Sequence, residues 1–360
     1  MNLSNFLILA FFLSCANCYA KWDNQSERYA NAYKKYAEAR CPIPENRIKH
    51  FVYFARDRGA IKDHPLLKHD RFSGAQIMYL WSRLEPAEGK YDFSTIRHDY
   101  EYLKKYGKKL FVQLQDATFD PKVRGLPEYL NTSEYDGGSI EQINDHGRVD
   151  GWTAKRWNKK VHKRFTLLLE ALGKEFDGKI EGINLQETAI GVDPNQDTTF
   201  TYKGYRDAIK ENMLSLRKAF PQSTAMLYAN FMPGEWLPWE DKGYLRSIYE
   251  YGEQIGVALA APDLMVRRKG QLNHALAMMH EHKYSTPLGI AVQDGNYTGL
   301  TGADFSAGSD LEGNENNVVE KRKNIVPLLH AFAEDFLKVN YMFWVNQKPY
   351  FEEDVLTCFE

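Results

Sequence analysis

The sequence predicts an α/β protein of the (β/α)8 TIM-barrel class, folded as a single domain. Eight short runs rich in β-branched and aromatic residues alternate with longer segments in which apolar residues recur every three or four positions. Strict alternation of strands and helices predicts parallel strands joined by right-handed crossovers. Eight such units are the number that closes a barrel, and 360 residues are enough for one barrel with insertions.

The predicted strands are recognised as short apolar runs, each followed by a helical period. They span residues 50–56, 75–81, 109–116, 180–187, 225–231, 256–263, 287–294 and 340–346. No GxGxxG motif or phosphate-binding loop follows any of them, which argues against an open nucleotide-binding sheet.

The intervening segments have the periodicity of amphipathic helices. In the first, Ile96, Tyr100 and Leu103 share one face, with Ser94 expected at the N-cap and Gly107 just past the C-terminal end. The same spacing recurs over residues 157–172, 205–220, 244–255 and 325–336.

The N-terminus has the features of a secretory signal. An apolar run from Phe6 to Leu13 precedes small residues that end at Ala20. We therefore expect a signal peptide over 1–20, an N-terminal helical segment over 21–49 and the barrel over 50–360, in a secreted or periplasmic protein. No later stretch reaches the roughly eighteen apolar residues of a membrane span.

Charge and cysteine content limit the partners. The net charge of −2 argues against nucleic acid, because phosphate neutralisation needs clustered Lys and Arg. Cys41 and Cys358 flank the predicted barrel, whose closure brings the chain ends together. They can form a disulfide in an oxidising compartment, or remain as two free buried thiols. Neither has companion ligands at metal-binding spacing, so we expect no metal and no cofactor.

Polar residues collect at the C-terminal ends of the predicted strands, where a barrel places its site. Amides and arginines suit sugar hydroxyls, and an aromatic face suits the apolar side of a sugar ring. The residues expected to bind an oligo- or polysaccharide are Arg83, Gln115, Gln186, Asn230, Gln293 and Trp344. An irregular stretch over residues 117–153 follows the third strand, and a loop of that length is usually functional.

Glu187, at the end of the fourth strand, is the candidate proton donor. Cleavage of a glycosidic bond needs one carboxylic acid to protonate the leaving oxygen and a second carboxylate on the other face of the sugar. The residues around Glu187 are apolar or neutral, and partial desolvation raises a glutamate pKa from its free value of about 4.3. Glu187 is therefore predicted to act as the acid.

Asp294, at the end of the seventh strand, is the candidate second carboxylate. Alternation places Gln293 on the inner face with Gly289 and Ala291, so Asp294 must turn inward at the strand end. Asp263 and Glu235 remain as alternatives.

The segment LWSRLEPAEGKYDFS, residues 80–94, resembles the W-x-x-x-EP-x-EG-x-YDF stretch after strand two in clan A glycoside hydrolases, especially the β-galactosidase-like families. The resemblance continues through Trp157 and the run 183–187. It implies an acid/base glutamate at the end of strand four, which maps onto Glu187, and a sugar-subsite tryptophan on strand eight, which maps onto Trp344. Those families carry a glutamate nucleophile at the end of strand seven, where this sequence has Gln293 and Asp294.

The sequence thus predicts an exported glycoside hydrolase with a two-carboxylate acid/base mechanism. The alternative is a non-catalytic carbohydrate-binding barrel in which Gln293 has replaced the strand-seven carboxylate. The two are distinguished by whether Asp294, Asp263 or Glu235 lies across an open cleft from Glu187.

Overall fold

The central feature of the computed structural model, which describes residues 28–300 and 324–360, is a closed barrel of eight parallel strands. The strands are β1 (Lys49–Tyr53), β2 (Phe72–Leu80), β3 (Lys109–Gln115), β4 (Gly182–Leu185), β5 (Thr224–Tyr228), β6 (Ala258–Ala261), β7 (Leu288–Val292) and β8 (Tyr341–Val345). They follow one another around the barrel in chain order, and β8 pairs with β1 to close it. The predicted fold class is confirmed, although most strands are shorter than predicted. The predicted signal peptide lies outside the described residues.

Helices cover the outside of the barrel. The longer ones are α1 (Ser94–Lys105), α2 (Lys159–Phe176), α3 (Tyr202–Ala219), α4 (Tyr244–Ile255), α5 (Ala275–Glu281) and α6 (Ile325–Ala331), which a π-helical turn over Phe332–Leu337 extends. Single-turn helices span Trp81–Leu84, Lys269–Leu272 and Leu356–Phe359. Two 3-10 turns, Arg58–Ile61 and Pro65–Lys68, connect β1 to β2 where a barrel usually has a helix. Over the described parts of the chain, no helix combines the length and apolar character needed to cross a membrane.

The ends of α1 correct one detail of the sequence prediction. The N-cap is Phe93, and Ser94 is the first helical residue, its backbone N–H donating to Asp92 Oδ1 at 2.9 Å. Gly107 adopts φ 70° just beyond the C-terminal end, as expected for a residue that stops a helix.

Large aromatic side chains from one side of the barrel fill its interior. The register pairs Phe51 on β1 with Phe343 on β8, and the ring centroids of Phe111 on β3 and Phe343 are 5.1 Å apart. Opposite them the strands carry small residues. A Cβ built on Gly182 of β4 would lie 2.6 Å from the Phe111 ring, so this position requires glycine. At the level of these rings, the barrel interior is therefore a packed core rather than a pore.

The insertion after β3 is ordered structure at the mouth, where the sequence pattern suggested an irregular loop. It contains an antiparallel sheet of Ala117–Thr118, Val149–Ala154 and Ser139–Ile143, with the 149–154 strand in the middle. Gln142 links this sheet to the loop that follows β4. Its Nε2 donates to the Thr118 carbonyl within the sheet at 2.7 Å, and its Oε1 accepts from the Gly191 N–H of the loop at 3.0 Å. The insertion is thus fixed against the loop that follows β4.

A disulfide joins Cys41, ahead of β1, to Cys358, in the C-terminal helix Leu356–Phe359. The cysteines are 317 positions apart, and the Ile43 N–H donates to the Cys358 carbonyl at 2.7 Å beside them. The predicted disulfide is confirmed.

Replacing both cysteines, Cys41→Ser with Cys358→Ser, is expected to lower the free energy of unfolding by about 2–5 kcal/mol, because the cross-link constrains a long loop of the unfolded chain. Urea denaturation of the oxidised wild type and the double variant measures the difference. Equal denaturation midpoints at equal slope would contradict the prediction.

Candidate functional site

Glu187 lies just beyond the C-terminal end of β4, and a neighbouring strand holds its side chain. One carboxylate oxygen accepts from Asn230 Nδ2, beyond the end of β5, at 2.6 Å. The side chain reaches solvent in part, although protein atoms enclose its carboxyl group. Burial raises the pKa of Glu187 to about 8; the charge of Asp263 adds to the increase, and Asn230 and Arg156 oppose it. Glu187 is therefore protonated at neutral pH.

A buried ion pair fixes the backbone around Glu187. Arg156 donates to both carboxylate oxygens of Asp116, at 2.8 and 2.7 Å. Its Nη1 donates to the Glu187 carbonyl at 2.9 Å and to the Tyr205 hydroxyl at 2.7 Å, and that hydroxyl donates to the Thr188 carbonyl. The bidentate pair and its hydrogen bonds satisfy the buried charges. The sequence pattern did not single out Arg156, because it lies in the insertion and contacts Glu187 only in three dimensions.

Amide side chains line the barrel below Glu187. Gln76 Nε2 donates to Asn184 Oδ1 at 2.9 Å and to the Tyr228 hydroxyl at 2.8 Å, and Gln113 Nε2 donates to Gln186 Oε1 at 3.5 Å. Within residues 28–300 and 324–360, the side-chain oxygens of Gln76, Gln113 and a third glutamine, Gln115, accept no hydrogen bond. Since an unpaired buried acceptor is costly, these oxygens favour a ligand with hydroxyl donors.

Asp263, which follows β6, is held in an uncommon backbone conformation. Its φ is 61°, in the left-handed region that non-glycine residues rarely adopt outside turns and functional sites. The buried Asn296 donates to Asp263 Oδ1 at 2.9 Å and accepts from the Gln293 N–H at 2.8 Å. The charge of Asp263 contributes to the raised pKa of both Glu187 and Tyr228. Asp263 therefore lies on the Glu187 side of the mouth.

Asp294 lies at the end of β7 with an exposed side chain. Nearby protein atoms still desolvate its carboxyl group and raise its pKa. In the described part of the chain, no hydrogen bond or ion pair orients this carboxyl. The buried Tyr53 of β1 lies near several of these acids: burial raises its pKa, and the charges of Asp294, Asp263 and Glu187 add to the increase. Glu187, Asp263 and Asp294 thus lie at the same mouth of the barrel. Of the two aspartates, Asp263 is the one that a hydrogen bond orients.

Glu235, the third alternative, is a support for the protein backbone. It is fully buried, pairs with His274 Nε2 at 3.1 Å and accepts from the N–H groups of Lys242, Tyr244 and Leu245. Burial favours its protonated form, but His274 and the backbone donors lower the pKa of Glu235. Its oxygens are therefore occupied by the loop that they anchor.

The predicted amides lie at the mouth or beneath it, and the predicted arginine lies on the rim. Gln115 is buried at the C-terminal end of β3, and Gln186 is buried just beyond the C-terminal end of β4. Gln293 is partly exposed just after β7. Arg83 is exposed on the short helix Trp81–Leu84. Glu85 pairs with Arg164 and leaves Arg83 on the surface.

The structure does not bring Trp344 to the mouth, which corrects its predicted role as a sugar platform. The residue is fully buried, donates from Nε1 to His50 Nδ1 at 3.2 Å, and packs 5.8 Å from the Phe359 ring. Because Phe343 faces the interior, its neighbour Trp344 faces the outer layer. It is a core residue on the outside of the barrel.

No protein-family model matches the chain, and no curated protein matches it. Among solved structures, the chain is similar to the catalytic domain of β-amylase from Paenibacillus polymyxa, at 8% identity over 83% of this chain and 93% of that chain, with a TM-score of 0.53. It is also similar to GH5_18 from Streptomyces cattleya in complex with GlcNAc, at 12% identity over 85% and 71%, with a TM-score of 0.50. Both neighbours are glycoside hydrolases with a parallel (β/α)8 barrel. At these identities the likeness establishes the shared fold.

Replacing Glu187 by Gln is expected to stabilise the protein at pH 8 but not at pH 4.5. Below pH 4.5 the carboxyl is protonated in both the native and the unfolded wild type, so its titration does not lower the free energy of unfolding. As the pH rises to about 8, the unfolded state ionises while native Glu187 stays protonated, and wild-type stability falls relative to the variant. We expect a difference of about 1–3 kcal/mol at pH 8, less than the full shift because the side chain reaches solvent. Urea denaturation of both proteins across this pH range measures it; a pH-independent difference would show that the pKa is not raised.

Proposed function

We propose that this protein hydrolyses glycosidic bonds, with Glu187 as the general acid. The observation that carries the proposal is the enclosed carboxyl group of Glu187, whose pKa burial raises to about 8, with the charge of Asp263 close enough to add to the increase. A protonated carboxyl can donate to the leaving glycosidic oxygen, and a second, ionised carboxylate completes the reaction. The resemblance of residues 80–94 to the β-galactosidase-like families supports the same reaction.

For the second carboxylate we propose Asp263, with the sequence-based candidate Asp294 as the alternative. Asp263 is oriented by Asn296 and by its backbone conformation, and its charge acts on Glu187. In an inverting reaction this carboxylate removes a proton from the attacking water; in a retaining one it bonds to the anomeric carbon and water then releases the sugar. Either role requires an ionised, fixed carboxylate.

A carbohydrate-binding barrel without activity is the second candidate, favoured by Gln293 at the position where the related families have their nucleophile. The amide layer would serve such a barrel equally well. The raised pKa of Glu187 favours the enzyme, since binding alone does not need a protonated acid at neutral pH.

We also propose that the protein is exported. Residues 1–20 support this as a candidate signal, and a disulfide between Cys41 and Cys358 suits an oxidising compartment.

The test is hydrolysis of aryl glycosides and polysaccharides by the wild type and by Glu187→Gln, Asp263→Asn and Asp294→Asn. Glu187→Gln is expected to lose about 10²–10⁴-fold in kcat/KM on substrates with poor leaving groups. It should lose far less on dinitrophenyl glycosides, whose leaving group needs no proton. Asp263→Asn should lose activity on both kinds of substrate, and Asp294→Asn should stay within tenfold of the wild type.

The matched aspartate variants separate the two carboxylates. Loss confined to Asp294→Asn would assign the second role to Asp294. If no substrate is turned over and calorimetry shows oligosaccharide binding by all four proteins, the non-catalytic barrel is the correct function.

The pH dependence of the wild type is a separate prediction. Because Glu187 must be protonated to act, kcat/KM should be high at neutral pH and fall as the pH rises through about 8. A decline that begins near pH 5 would contradict Glu187 as the acid.

A further inference from the structure

Two tryptophans near the mouth differ from the others in the use of the indole N–H. Each of the other described tryptophans donates its indole N–H to a protein acceptor: Trp81 to Glu85, Trp152 to Pro121, Trp157 to Thr199 and Trp344 to His50. Trp236 and Trp239 make no such bond within the described residues, and 40% and 60% of their surfaces are exposed. Each indole therefore has a ring face and an N–H donor that a ligand can contact.

The loop that carries these tryptophans is firmly anchored. Glu235 within it accepts three backbone N–H groups and pairs with the buried His274. The N–H of Leu237 donates to Glu240 Oε2 at 3.1 Å, around the 3-10 turn Pro238–Glu240. A rigid loop presents its aromatic groups at a low entropic cost of binding.

The loop is continuous with the candidate site. The centroid of the Trp236 ring lies 6.4 Å from that of the Phe231 ring. Phe231 directly follows Asn230, and Asn230 donates a hydrogen bond to the Glu187 side chain. Thr188, which follows Glu187, donates to the Phe231 carbonyl at 2.6 Å. The tryptophans therefore lie beside the residue proposed as the acid.

A third exposed aromatic residue lies on the other side of β4. Phe119 directly follows the short strand Ala117–Thr118 after β3 and is 47% exposed. In the barrel β4 lies between β3 and β5, so the loop that carries Glu187 comes between the loops that carry Phe119 and the two tryptophans. We call Phe119, Trp236 and Trp239 the aromatic rim.

We propose that the aromatic rim binds a polysaccharide laid across Glu187, and that the protein cleaves this polymer internally; the inference rests on the proposed function. Sugar rings present apolar C–H faces that stack on aromatic rings, and their hydroxyls accept from indole N–H groups. Aromatic groups on both sides of Glu187 give binding positions on both sides of the cleaved bond. A chain bound in that way is cut within its length rather than at its end.

The test compares a short and a long substrate. The substrates are aryl monoglycosides and β-1,4-linked hexaoses of glucose, xylose and mannose, with Phe119→Ala, Trp236→Ala and Trp239→Ala. Each variant should lose about tenfold or more in kcat/KM on the hydrolysed hexaose and less than twofold on the aryl monoglycoside. The matched control is Tyr106→Ala, which removes a 41% exposed ring beyond the C-terminal end of α1, at the opposite end of the barrel. The first products from the hexaose should be di-, tri- and tetrasaccharides.

Several outcomes would overturn the inference. Equal losses in Tyr106→Ala, unchanged kinetics in all three rim variants, or monosaccharide as the first product would each exclude a polymer bound across Glu187. If only vesicles of phosphatidylcholine and phosphatidylserine bind the wild type, and Trp236→Ala and Trp239→Ala abolish that binding, the rim is a membrane contact.

A failure of the proposed function gives a different result. In that case neither the aryl glycosides nor the hexaoses are hydrolysed, and the rim is tested by tryptophan fluorescence of Glu187→Gln titrated with the same hexaoses. A saturable change that Trp236→Ala and Trp239→Ala abolish supports polysaccharide binding by the rim, and no change overturns it.

Discussion

The packing of large rings against small residues across the barrel is the constraint on which the site depends. Phe51, Phe111 and Phe343 pack together in the interior, and Gly182 leaves room for the Phe111 ring. The amide side chains above these rings are buried, and Glu187, beyond the end of β4, is only partly exposed. This burial is the largest cause of the increase in the pKa of Glu187.

Burial also explains how the charged side chains around Glu187 are paired. A buried carboxylate such as Asp116 is tolerable only when it is fully paired, and Arg156 pairs with it bidentately. Arg156 has donors left over, and these fix the Glu187 carbonyl and Tyr205 rather than the Glu187 carboxylate. Arg156 therefore holds Glu187 through its backbone, while the Glu187 side chain accepts from Asn230 and stays free of a salt bridge. That separation allows one carboxyl to remain protonated beside ionised neighbours.

The sequence predicted the features that depend on local periodicity and on closure. All eight strands, the position of Glu187 at the end of β4 and the bond between Cys41 and Cys358 follow from alternation and from the meeting of the chain ends. Trp344 could not be placed in this way. Strand β8 reads Tyr-Met-Phe-Trp-Val and is buried on both faces, so no polar residue shows which face is inside. A slip of one position exchanges the faces and moves a core tryptophan into the site.

The second carboxylate shows a deeper limit of sequence patterns. Asp263 is directed by a left-handed backbone and by Asn296, which lies 33 positions further along the chain, and neither effect has a local signature. Gln293, at the position where the families that residues 80–94 resemble have a glutamate, suggests a lost function if strand seven is considered alone. Its backbone N–H donates to Asn296, which in turn donates to Asp263, so the end of β7 helps to orient the aspartate that follows β6. A departure from a family pattern at one strand is therefore weak support for inactivity until the ends of the neighbouring strands have been compared in three dimensions.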